Sequence, residues 1–462
     1  VVVIISSLIR KQYISLSTPT MRGQIIMIDH TTDEASATGR DSTRRLDRRT
    51  VLKAGAAAGI TGLAGCSGGG GGDDTGTFGA IHLLSGFASV YGESAQLGYE
   101  MAREEINADG GIDGKEIEPL IYRDSEGSGP TGIEAARSLV EEENVDGLIG
   151  LDSSGVAQQV APIAEQLQTP FMITHAATPF VTATEGENAV GNDYVFRDGV
   201  NLSQNVYGAA KIAERLDGQS WTTLGPNYAF GTQSWEYFTA FTQGLGLGYD
   251  YLDDAAAFPE LGASDYTPQI NKVLGGEPDG VVVSLWGSDL VTFINQAQET
   301  AFFDEVDHVV LTLGAATDAL RPLGSDIPDG LWAGTRYWFE TPDTEANRTF
   351  VEAFVERNDQ QPSYNAHNAY VGLYLYKQAI EAAGSATADD VTGALEGMST
   401  SAPIGEFSIN PESHQAVLPA IWGQTAYSEE LGLSRLDPVE RIDAPPETIR
   451  SLLADSEYPA GV

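Results

Sequence analysis

The chain has 462 residues, 42% of them hydrophobic, and it carries 25 lysines and arginines against 66 aspartates and glutamates, a formal net charge of −41. So acidic a chain has no basic stripe with which to displace counterions from a phosphate backbone, and this excludes nucleic acid as a partner. The length and the hydrophobic content predict two or three domains with sizeable cores.

The first signal along the chain concerns export. Arg48 and Arg49 precede an apolar stretch and resemble the twin-arginine signal, which directs folded proteins to a translocase. The stretch 54–64 is rich in glycine and alanine and is too short to cross a hydrocarbon core about 30 Å thick, so it predicts the apolar part of a signal peptide and not a transmembrane helix. We interpret residues 1–65 as this export signal together with an N-terminal extension whose true start is uncertain.

The residues that end this signal, 63–66, resemble a lipobox, in which small residues precede a cysteine that takes a lipid. Cys66 is the only cysteine of the chain, so no disulfide can form within it. A buried structural cysteine is the alternative, but it does not fit between an apolar signal and the glycine run 68–72. We therefore expect an extracytoplasmic protein held at the outer face of the cell membrane by a lipid on Cys66, with residues 66–76 as a flexible tether.

The exported part of the chain is even more acidic than the whole. Residues 1–65 hold 9 basic and 5 acidic residues, which leaves 16 basic against 61 acidic, a net charge of about −45. Such a surface repels itself in ordinary buffer, but molar salt shortens the Debye length to about 3 Å and removes most of that cost. The composition therefore predicts a protein of a halophile; an acidic face for a basic partner is a weaker alternative, because the acids are spread along the chain.

After the tether, short apolar runs alternate with helical patterns. In the first half the predicted strands are 78–84, 117–122, 145–151 and 170–174, and the predicted helices are 93–108, 131–143 and 156–167. This alternation predicts a parallel sheet covered by helices on both faces. The segment 107–114 superficially suggests a calcium loop, but it lacks the closing glutamate and is better interpreted as a helix end followed by a turn.

The same alternation of predicted strands and helices begins again after residues 194–197. The predicted strands there are 221–224, 280–286 and 308–313, and the predicted helices are 201–216, 232–242, 266–274 and 288–301. Two α/β units in series predict a cleft between the carboxyl ends of two sheets, where open α/β folds bind ligands. Three more helices, 345–357, 366–383 and 388–396, are too many for the second unit, so we expect the chain to cross back to the first.

Motifs of catalysis are mostly absent. The chain has no nucleophile elbow, no zinc-protease motif and no phosphate-binding loop, and its six histidines show no metal-ligand spacing. Two loops remain as candidate sites because each follows a predicted strand and is rich in small or hydroxyl residues. The first contains Ser153 and Ser154, and the second contains Ala176, Ala177 and Thr178. Hydroxyl groups and free amides at a helix start suit a carboxylate, although helix capping alone would also explain them.

Four blocks of the chain together resemble a known family, the type I periplasmic solute-binding proteins of ABC importers, and within it the branched-chain amino-acid (Leu/Ile/Val) group. The blocks are 84–92 with the helix end 105–114, then 149–154, 170–178 and 403–407. The resemblance covers about 78–427. It implies two doubly wound α/β lobes joined by a three-segment hinge, which close over a small solute and present it to the permease and ATPase of the importer.

The resemblance also implies a binding site, with no catalytic residue, metal or cofactor. Ser153, Ser154, Ala177 and Thr178 would hold the carboxylate and amino groups of the solute from the first lobe, in loops that also contain Ala176. Three aromatic residues would complete the site: Tyr91 at the entrance, and Phe230 and Trp286 over the solute from the second lobe. The expected lobes are 77–199 with 337–402 and 200–336 with 403–427, followed by a tail, 428–462.

One departure from the family pattern bears on the solute. The segment 313–317 lacks the acid that usually pairs with the ammonium group of an amino acid. An unpaired buried ammonium is costly, so either Asp318 or Asp289 reaches the site or the solute is not a zwitterion. The sequence therefore predicts a monomeric receptor for a small amino acid, most of all a branched-chain one. Short amides or urea-like solutes, a sensory receptor of the same fold and an exported enzyme are the alternatives.

Overall fold

The computed structural model describes residues 76–462. The export signal, Arg48, Arg49, Cys66 and nearly all of the tether lie outside the described residues. Within them no helix combines the length and the apolar character needed to cross a membrane. The described chain contains two large sheets and one small sheet, and the large sheets define two lobes.

The first lobe is built on a fully parallel five-stranded sheet in the order β2-β1-β3-β4-β5. Its strands are β1 (Phe78–His82), β2 (Ile121–Asp124), β3 (Gly147–Gly150), β4 (Phe171–Ile173) and β5 (Val195–Arg197), and its first helices are α1 (Ser89–Ala108), α2 (Gly129–Arg137) and α3 (Ser154–Leu167). Every residue of β1, β3 and β4 is buried, because helices cover both faces of the sheet. The predicted fold class is thus confirmed for this lobe.

The second lobe has seven strands in the order β15-β14-β10-β9-β8-β6-β7, of which β14 and β15 are antiparallel to their neighbours. The strands are β6 (Ser220–Leu224), β7 (Asp250–Tyr251), β8 (Gly280–Val283), β9 (His308–Leu311), β10 (Trp332–Thr335), β14 (Ala420–Ser428) and β15 (Leu433–Ile442), with a separate small sheet of β11 (Ser399–Ala402), β12 (Gly405–Ile409) and β13 (Ala416–Val417). The helices along this part of the chain are α4 (Leu202–Ala213), α5 (Ala229–Gly244), α6 (Thr267–Leu274), α7 (Gly287–Glu299), α8 (Phe302–Glu305), α9 (Thr317–Leu323), α10 (Glu345–Asn358), α11 (Tyr364–Ala383), α12 (Ala388–Leu395) and α13 (Pro446–Leu452).

The chain returns to the first lobe after β10, as the surplus of helices predicts. Helix α11 packs along α1 and against β3, where the hydroxyl of Tyr376 donates to the carbonyl of Leu148 at 2.6 Å and receives the amide of Met172 at 3.1 Å. The later strands β14 and β15 then rejoin the sheet of the second lobe. The chain therefore passes between the lobes three times.

Some predicted elements differ from the observed ones. The predicted strand 117–122 pairs with β1 only from Ile121 onward, because Ile117 donates its amide to the side chain of Asn107 at 2.7 Å, at the end of α1. Helix α2 ends at Arg137 and continues as a wide turn to Glu142. The periodicity of apolar residues did not predict β10, α9 or the strands after residue 398, because these elements are short or carry polar residues on an exposed face.

Residues 428–462 lie against the folded lobes. Strand β15 pairs with β14, and the carbonyl of Gly461 accepts hydrogen bonds from Asn201 and Thr182, both at 2.8 Å. The carbonyl of Pro459 accepts from the hydroxyl of Tyr237 in α5. The predicted lobe boundaries themselves stay a prediction.

The contact between α1 and α11 gives a test of the packing. A Cβ atom at Gly98 would lie 2.0 Å from the carbonyl oxygen of Ala366, whereas one at Gly393, an exposed position of α12, would meet nothing within 4 Å. We expect Gly98→Ala to lower the free energy of unfolding by about 1–3 kcal/mol through overpacking. The matched change Gly393→Ala should raise it by about 0.5–1 kcal/mol, since alanine is the better helix former. Equal urea midpoints for the two variants would contradict this packing.

Candidate functional site

The two candidate loops of the first lobe lie at the carboxyl ends of β3 and β4, side by side in the sheet. Leu151, with φ 64°, turns the chain out of β3, and the next residue, Asp152, accepts the amide of Leu83 at the end of β1 at 2.6 Å. Ser154 begins α3, and its hydroxyl accepts the amides of Ala177 at 3.3 Å and Thr178 at 3.2 Å. Parallel pairing thus brings the two loops into direct contact.

A small cavity lies where these loops face the second lobe, with about 10 Å³ of free space in the closed arrangement. That is about the space that a single water molecule needs, so a solute can enter only when the lobes open. The walls of the cavity are formed by Tyr91, Asp152, Ser154, His175, Ala177, Tyr228, Phe230, Trp286, Leu313, Arg336 and Tyr364. A larger groove of about 650 Å³ between α10, α11 and β11 opens to solvent on the outside of the first lobe, away from the strand ends.

Aromatic rings line much of the cavity and connect the lobes. Tyr91 of α1 stacks on Trp286 at 5.5 Å between ring centroids and 20° between planes, and Phe87 meets the same indole edge-on at 5.0 Å. The hydroxyl of Tyr91 accepts the amide of Gly287 at 3.1 Å, and the hydroxyl of Ser288 donates to the carbonyl of Phe87 at 2.8 Å. These contacts join α1 and the turn before it to the start of α7, so they hold the two lobes closed.

Arg336 supplies a positive charge to the cavity. It follows β10 where the chain leaves the second lobe, and only 4% of its surface is exposed. Its Nη1 donates to the carbonyl of His175, its guanidinium carbon lies 5.1 Å from the centre of the Tyr364 ring, and its Nε has no partner among the described residues. Burial lowers the pKa of Arg336, but arginine starts so high that it stays charged at neutral pH. A buried cation with open donors therefore faces the cavity.

Buried titratable groups lie beside this cation. Asp152 contacts Nδ1 of His82 at 3.2 Å, and burial, which would raise the pKa of Asp152, is outweighed by His82, by His175 and by the amide of Leu83, so the pKa is lowered. Burial lowers the pKa of His175 to about 3, which leaves this ring neutral. Ligand atoms of His82, Asp152 and His175 lie within 4.8 Å of one another, close enough to hold a metal ion, a grouping from three strand ends that sequence spacing does not indicate.

The predicted binding residues divide into two groups. Five of the eight line the cavity, namely Tyr91, Ser154, Ala177, Phe230 and Trp286, whereas Ser153, Ala176 and Thr178 do not. Ser153 precedes α3 as its N-cap residue without a side-chain capping bond. The hydroxyl of Thr178 accepts a hydrogen bond from the amide of Phe180 at 3.4 Å, and its carbonyl accepts one from Arg197. Thr178 therefore stabilises the turn that follows it.

Neither of the two acids considered as partners of an ammonium group lines the cavity. Asp318 accepts the side-chain amide of Asn365 at 3.0 Å, and Asp289 accepts the backbone amide of Gly262 at 2.9 Å. Burial raises the pKa of both carboxyl groups. Asp152 is the acid that does line the cavity, and its oxygens already accept hydrogen bonds from His82 and Leu83.

Sequence reasoning missed Arg336 and Tyr364 as wall residues. Arg336 carried a usable signal, because it is a lone charge inside the apolar and aromatic run 331–339 of a chain poor in basic residues. Such a residue is expected to be buried with a function, since an unpaired buried charge is expensive. Tyr364 carried none, because it begins a helix and resembles an ordinary core residue there.

Two parallel-sheet lobes that the chain connects three times, closed over a buried cavity at their strand ends, define the type I fold of periplasmic solute-binding proteins. A sequence profile of the periplasmic binding protein family matches residues 75–426, most of the chain. The chain belongs to this family.

Known relatives agree with this assignment. The chain is 25% identical over 313 residues to Leu/Ile/Val-binding protein homolog 7 of Brucella suis, which covers 65% of this chain and 76% of the relative. It is 23% identical over 329 residues to the leucine-, isoleucine-, valine-, threonine- and alanine-binding protein of Pseudomonas aeruginosa, covering 71% and 83%. Among solved structures, an ABC transporter solute-binding protein of R. palustris in complex with 4-hydroxybenzoate has the same fold, with a TM-score of 0.70, 19% identity and coverage of 80% and 98%.

The hydrogen bond between the lobes gives a test of closure. Tyr91→Phe keeps the ring stacked on Trp286 but removes the acceptor of the Gly287 amide, and a net hydrogen bond is worth about 0.5–1.5 kcal/mol. We expect the closed population of the solute-free protein to fall about two- to tenfold relative to the open one, measured by small-angle X-ray scattering. Tyr427→Phe, at an exposed tyrosine of β14, is the matched control. Identical scattering from both variants would show that this bond does not hold the lobes together.

Proposed function

We propose that this protein is the extracytoplasmic solute receptor of an ABC importer, and that it captures a small organic carboxylate in the interlobe cavity and delivers it to the permease. The observation that carries the proposal is the buried guanidinium of Arg336 on the cavity wall. The solute would leave the receptor chemically unchanged, and the importer's ATPase would power its passage.

The buried charge of Arg336 is only partly compensated within the protein. Taking a cation out of water costs several kcal/mol unless an anion or hydrogen bonds compensate for it. Among the described residues, Arg336 has one hydrogen bond, to a carbonyl, and its Nε has no partner. A carboxylate matches the fork of a guanidinium and would receive two parallel hydrogen bonds. A solute that carries a carboxylate is therefore favoured over neutral amides or urea-like molecules.

The walls favour an acid with a compact apolar body and no ammonium group. Five of the wall residues, Tyr91, Tyr228, Phe230, Trp286 and Tyr364, are aromatic. Flat rings accept other flat or apolar groups through stacking and edge contacts. The protein from R. palustris named above binds an aromatic acid. We therefore favour a small aromatic or apolar monocarboxylate.

An amino acid, the solute predicted from the sequence, is the second candidate. The names of the relatives in Brucella and Pseudomonas support it, and so does Asp152, which lines the cavity and could attract an ammonium group. The difficulty is that both oxygens of Asp152 already accept hydrogen bonds from within the protein. A sensory role for the same closed form also stays open.

The anchoring belongs to the same proposal. We infer a lipid on Cys66 as the attachment to the membrane and the segment around Arg48 and Arg49 as the export signal, both from the sequence pattern. A single receptor chain is expected to act as a monomer on its tether. Mass spectrometry of the membrane-extracted protein tests the lipid, and Cys66→Ala should release the exported protein from the membrane.

Calorimetry with matched solute pairs, in molar salt, tests the choice of solute. Phenylpropanoate against phenylalanine and isocaproate against leucine differ only in the ammonium group, and benzoate against benzamide differs in the carboxylate. We expect the acid without an ammonium group to bind more tightly in the first two pairs, and benzoate to bind where benzamide does not. Tighter binding of phenylalanine or leucine would favour the amino-acid candidate, and no binding by any acid would overturn the proposal.

Arg336→Gln tests the contact that carries the proposal. A hydrogen bond between charged groups contributes about 1.5–3 kcal/mol, so the affinity for the tightest acid should fall about 10- to 100-fold. Arg137→Gln is the control, because Arg137 is a partly exposed arginine at the end of α2 that pairs with Glu141 in the following turn, and its loss should leave the affinity unchanged. If Arg336→Gln binds the acid with the same affinity as the parent protein, the guanidinium does not contact the solute.

A further inference from the structure

Residues 458–462, which we call the strap, run from the second lobe to the first. Their second-lobe end lies on α5, a helix between β6 and β7 in the chain. There the ring of Tyr458 lies 5.7 Å from the ring of Tyr237, between centroids, and the hydroxyl of Tyr237 donates to the carbonyl of Pro459 at 2.5 Å. The strap is thus fixed to the second lobe by a ring contact and a hydrogen bond.

The other end of the strap lies on the first lobe, in the loop between β4 and β5. The carbonyl of Gly461 accepts a hydrogen bond from the hydroxyl of Thr182 in that loop at 2.8 Å. Gly461 has φ 59°, and a Cβ atom there would lie 2.4 Å from the carbonyl oxygen of Pro179 in the same loop. The strap backbone therefore packs so closely on the first lobe that only glycine fits.

Between its two ends the strap follows the first passage of the chain between the lobes, which joins β5 to α4. Asn201, the N-cap residue of α4, donates its side-chain amide to the carbonyl of Gly461 at 2.8 Å. Ser203, in the first turn of α4, donates its hydroxyl to the carbonyl of Ala460 at 2.6 Å. The strap is therefore bound along a covalent connection of the lobes as well as to both of its sides.

We propose that the strap is a non-covalent connection between the lobes that favours the closed arrangement and limits how readily the protein opens. Thr182 and Tyr237 hold its two ends on opposite lobes, so a rotation of one lobe must lengthen or break one of these contacts. Each lost hydrogen bond changes the ratio of closed to open protein about two- to tenfold. The proposal goes beyond the proposed function, because it does not depend on which solute is bound.

The path of the tail supports a role in the coupling of the lobes over a role as a simple anchor. Helix α13 (Pro446–Leu452) already packs against α4 and α5, so the tail is held on the second lobe before the strap begins. Fixing the end of the chain needs no further contact. The strap nevertheless continues to the loop that contains Pro179 and Thr182, where Val462 is also buried.

Gly461→Ala tests the contact with the first lobe. The added methyl group collides with the carbonyl of Pro179, and alanine is strained at this φ, so the end of the strap must leave the loop. We expect the ratio of closed to open protein without solute to fall about two- to tenfold. Electron–electron resonance between spin labels measures both populations. The labels are attached through Glu134→Cys in α2 and Asn271→Cys in α6, exposed positions on different lobes, in a Cys66→Ser background.

The matched control is Gly432→Ala, in the exposed turn between β14 and β15. Gly432 has φ 64°, so alanine meets the same backbone strain there, but its Cβ atom would contact nothing within 4 Å. This variant should be less stable than the parent protein and should keep the parent ratio of closed to open protein. The comparison therefore separates loss of the strap contact from a general loss of stability.

Tyr237→Phe tests the end on the second lobe and serves if Gly461→Ala does not fold. It keeps the ring beside Tyr458 and removes the hydroxyl that donates to Pro459, so we expect a shift toward the open form in the same range. The control is Tyr427→Phe, at an exposed tyrosine of β14. Closed populations that equal those of the controls, or exceed them, would overturn the role of the strap.

Solute binding provides an independent readout. If an acid binds as proposed, its affinity should fall in Gly461→Ala by the same factor as the closed population, because the solute is held by the closed form. The populations themselves are measured without solute. A complete absence of acid binding would therefore overturn the proposed function and leave the strap standing, whereas unchanged populations would overturn the strap and leave the receptor standing.

Discussion

The parallel pairing of strands in both lobes is the constraint on which the rest of this structure depends. Carboxyl ends of parallel strands meet at one edge of a sheet, so the loops after β1, β3 and β4 converge without any contact between them being specified by nearby sequence. Because the loops converge, the side chain of Asp152 accepts a hydrogen bond from the amide of Leu83, and the hydroxyl of Ser154 accepts from the amides of Ala177 and Thr178. A second sheet facing the first converts that edge into a cavity.

Arg336 belongs both to the cavity wall and to the segment that connects the two lobes. The residue lies where the chain leaves β10 to return to the first lobe, and it donates to the carbonyl of His175 in that lobe. An anion bound to the guanidinium would therefore stabilise the closed arrangement directly, because opening the lobes would separate Arg336 from the wall that it completes. Closure between α1 and α7 alone involves two ring contacts on Trp286 and two hydrogen bonds, at Gly287 and Ser288, and each of these contributes only about 0.5–1.5 kcal/mol. Under the proposed function, a bound anion would make the larger contribution to the coupling between binding and closure.

The parts of this architecture that follow local periodicity could be predicted from the sequence. The first sheet, the loops after β3 and β4 and the return of the chain through α10–α12 all follow from continuous apolar runs and helical spacing. The parts that depend on contacts between distant segments could not. Tyr364 reaches the cavity from the first turn of α11, and the three groups of the His82, Asp152 and His175 cluster come from separate strand ends, so no spacing indicates either. Strand β15, at the edge of the second sheet, and the second half of its neighbour β14 carry polar and partly exposed residues, so a search for apolar runs does not find them.

The protein as a whole is strongly acidic, whereas its cavity wall carries the buried cation Arg336 beside the carboxylate of Asp152, and this bears on the proposed capture of an anionic solute. A chain with a formal net charge of −41 repels anions at long range in dilute buffer. In molar salt that repulsion extends only about 3 Å from each exposed charge, whereas a pair buried in a closed cavity is screened much less. Steering by the whole surface therefore contributes nothing favourable, and recognition rests on the short-range contacts that form as the lobes close. Under the proposed function, the affinity for an acid would therefore depend on Arg336 and on the rings around it, and not on the acidic exterior.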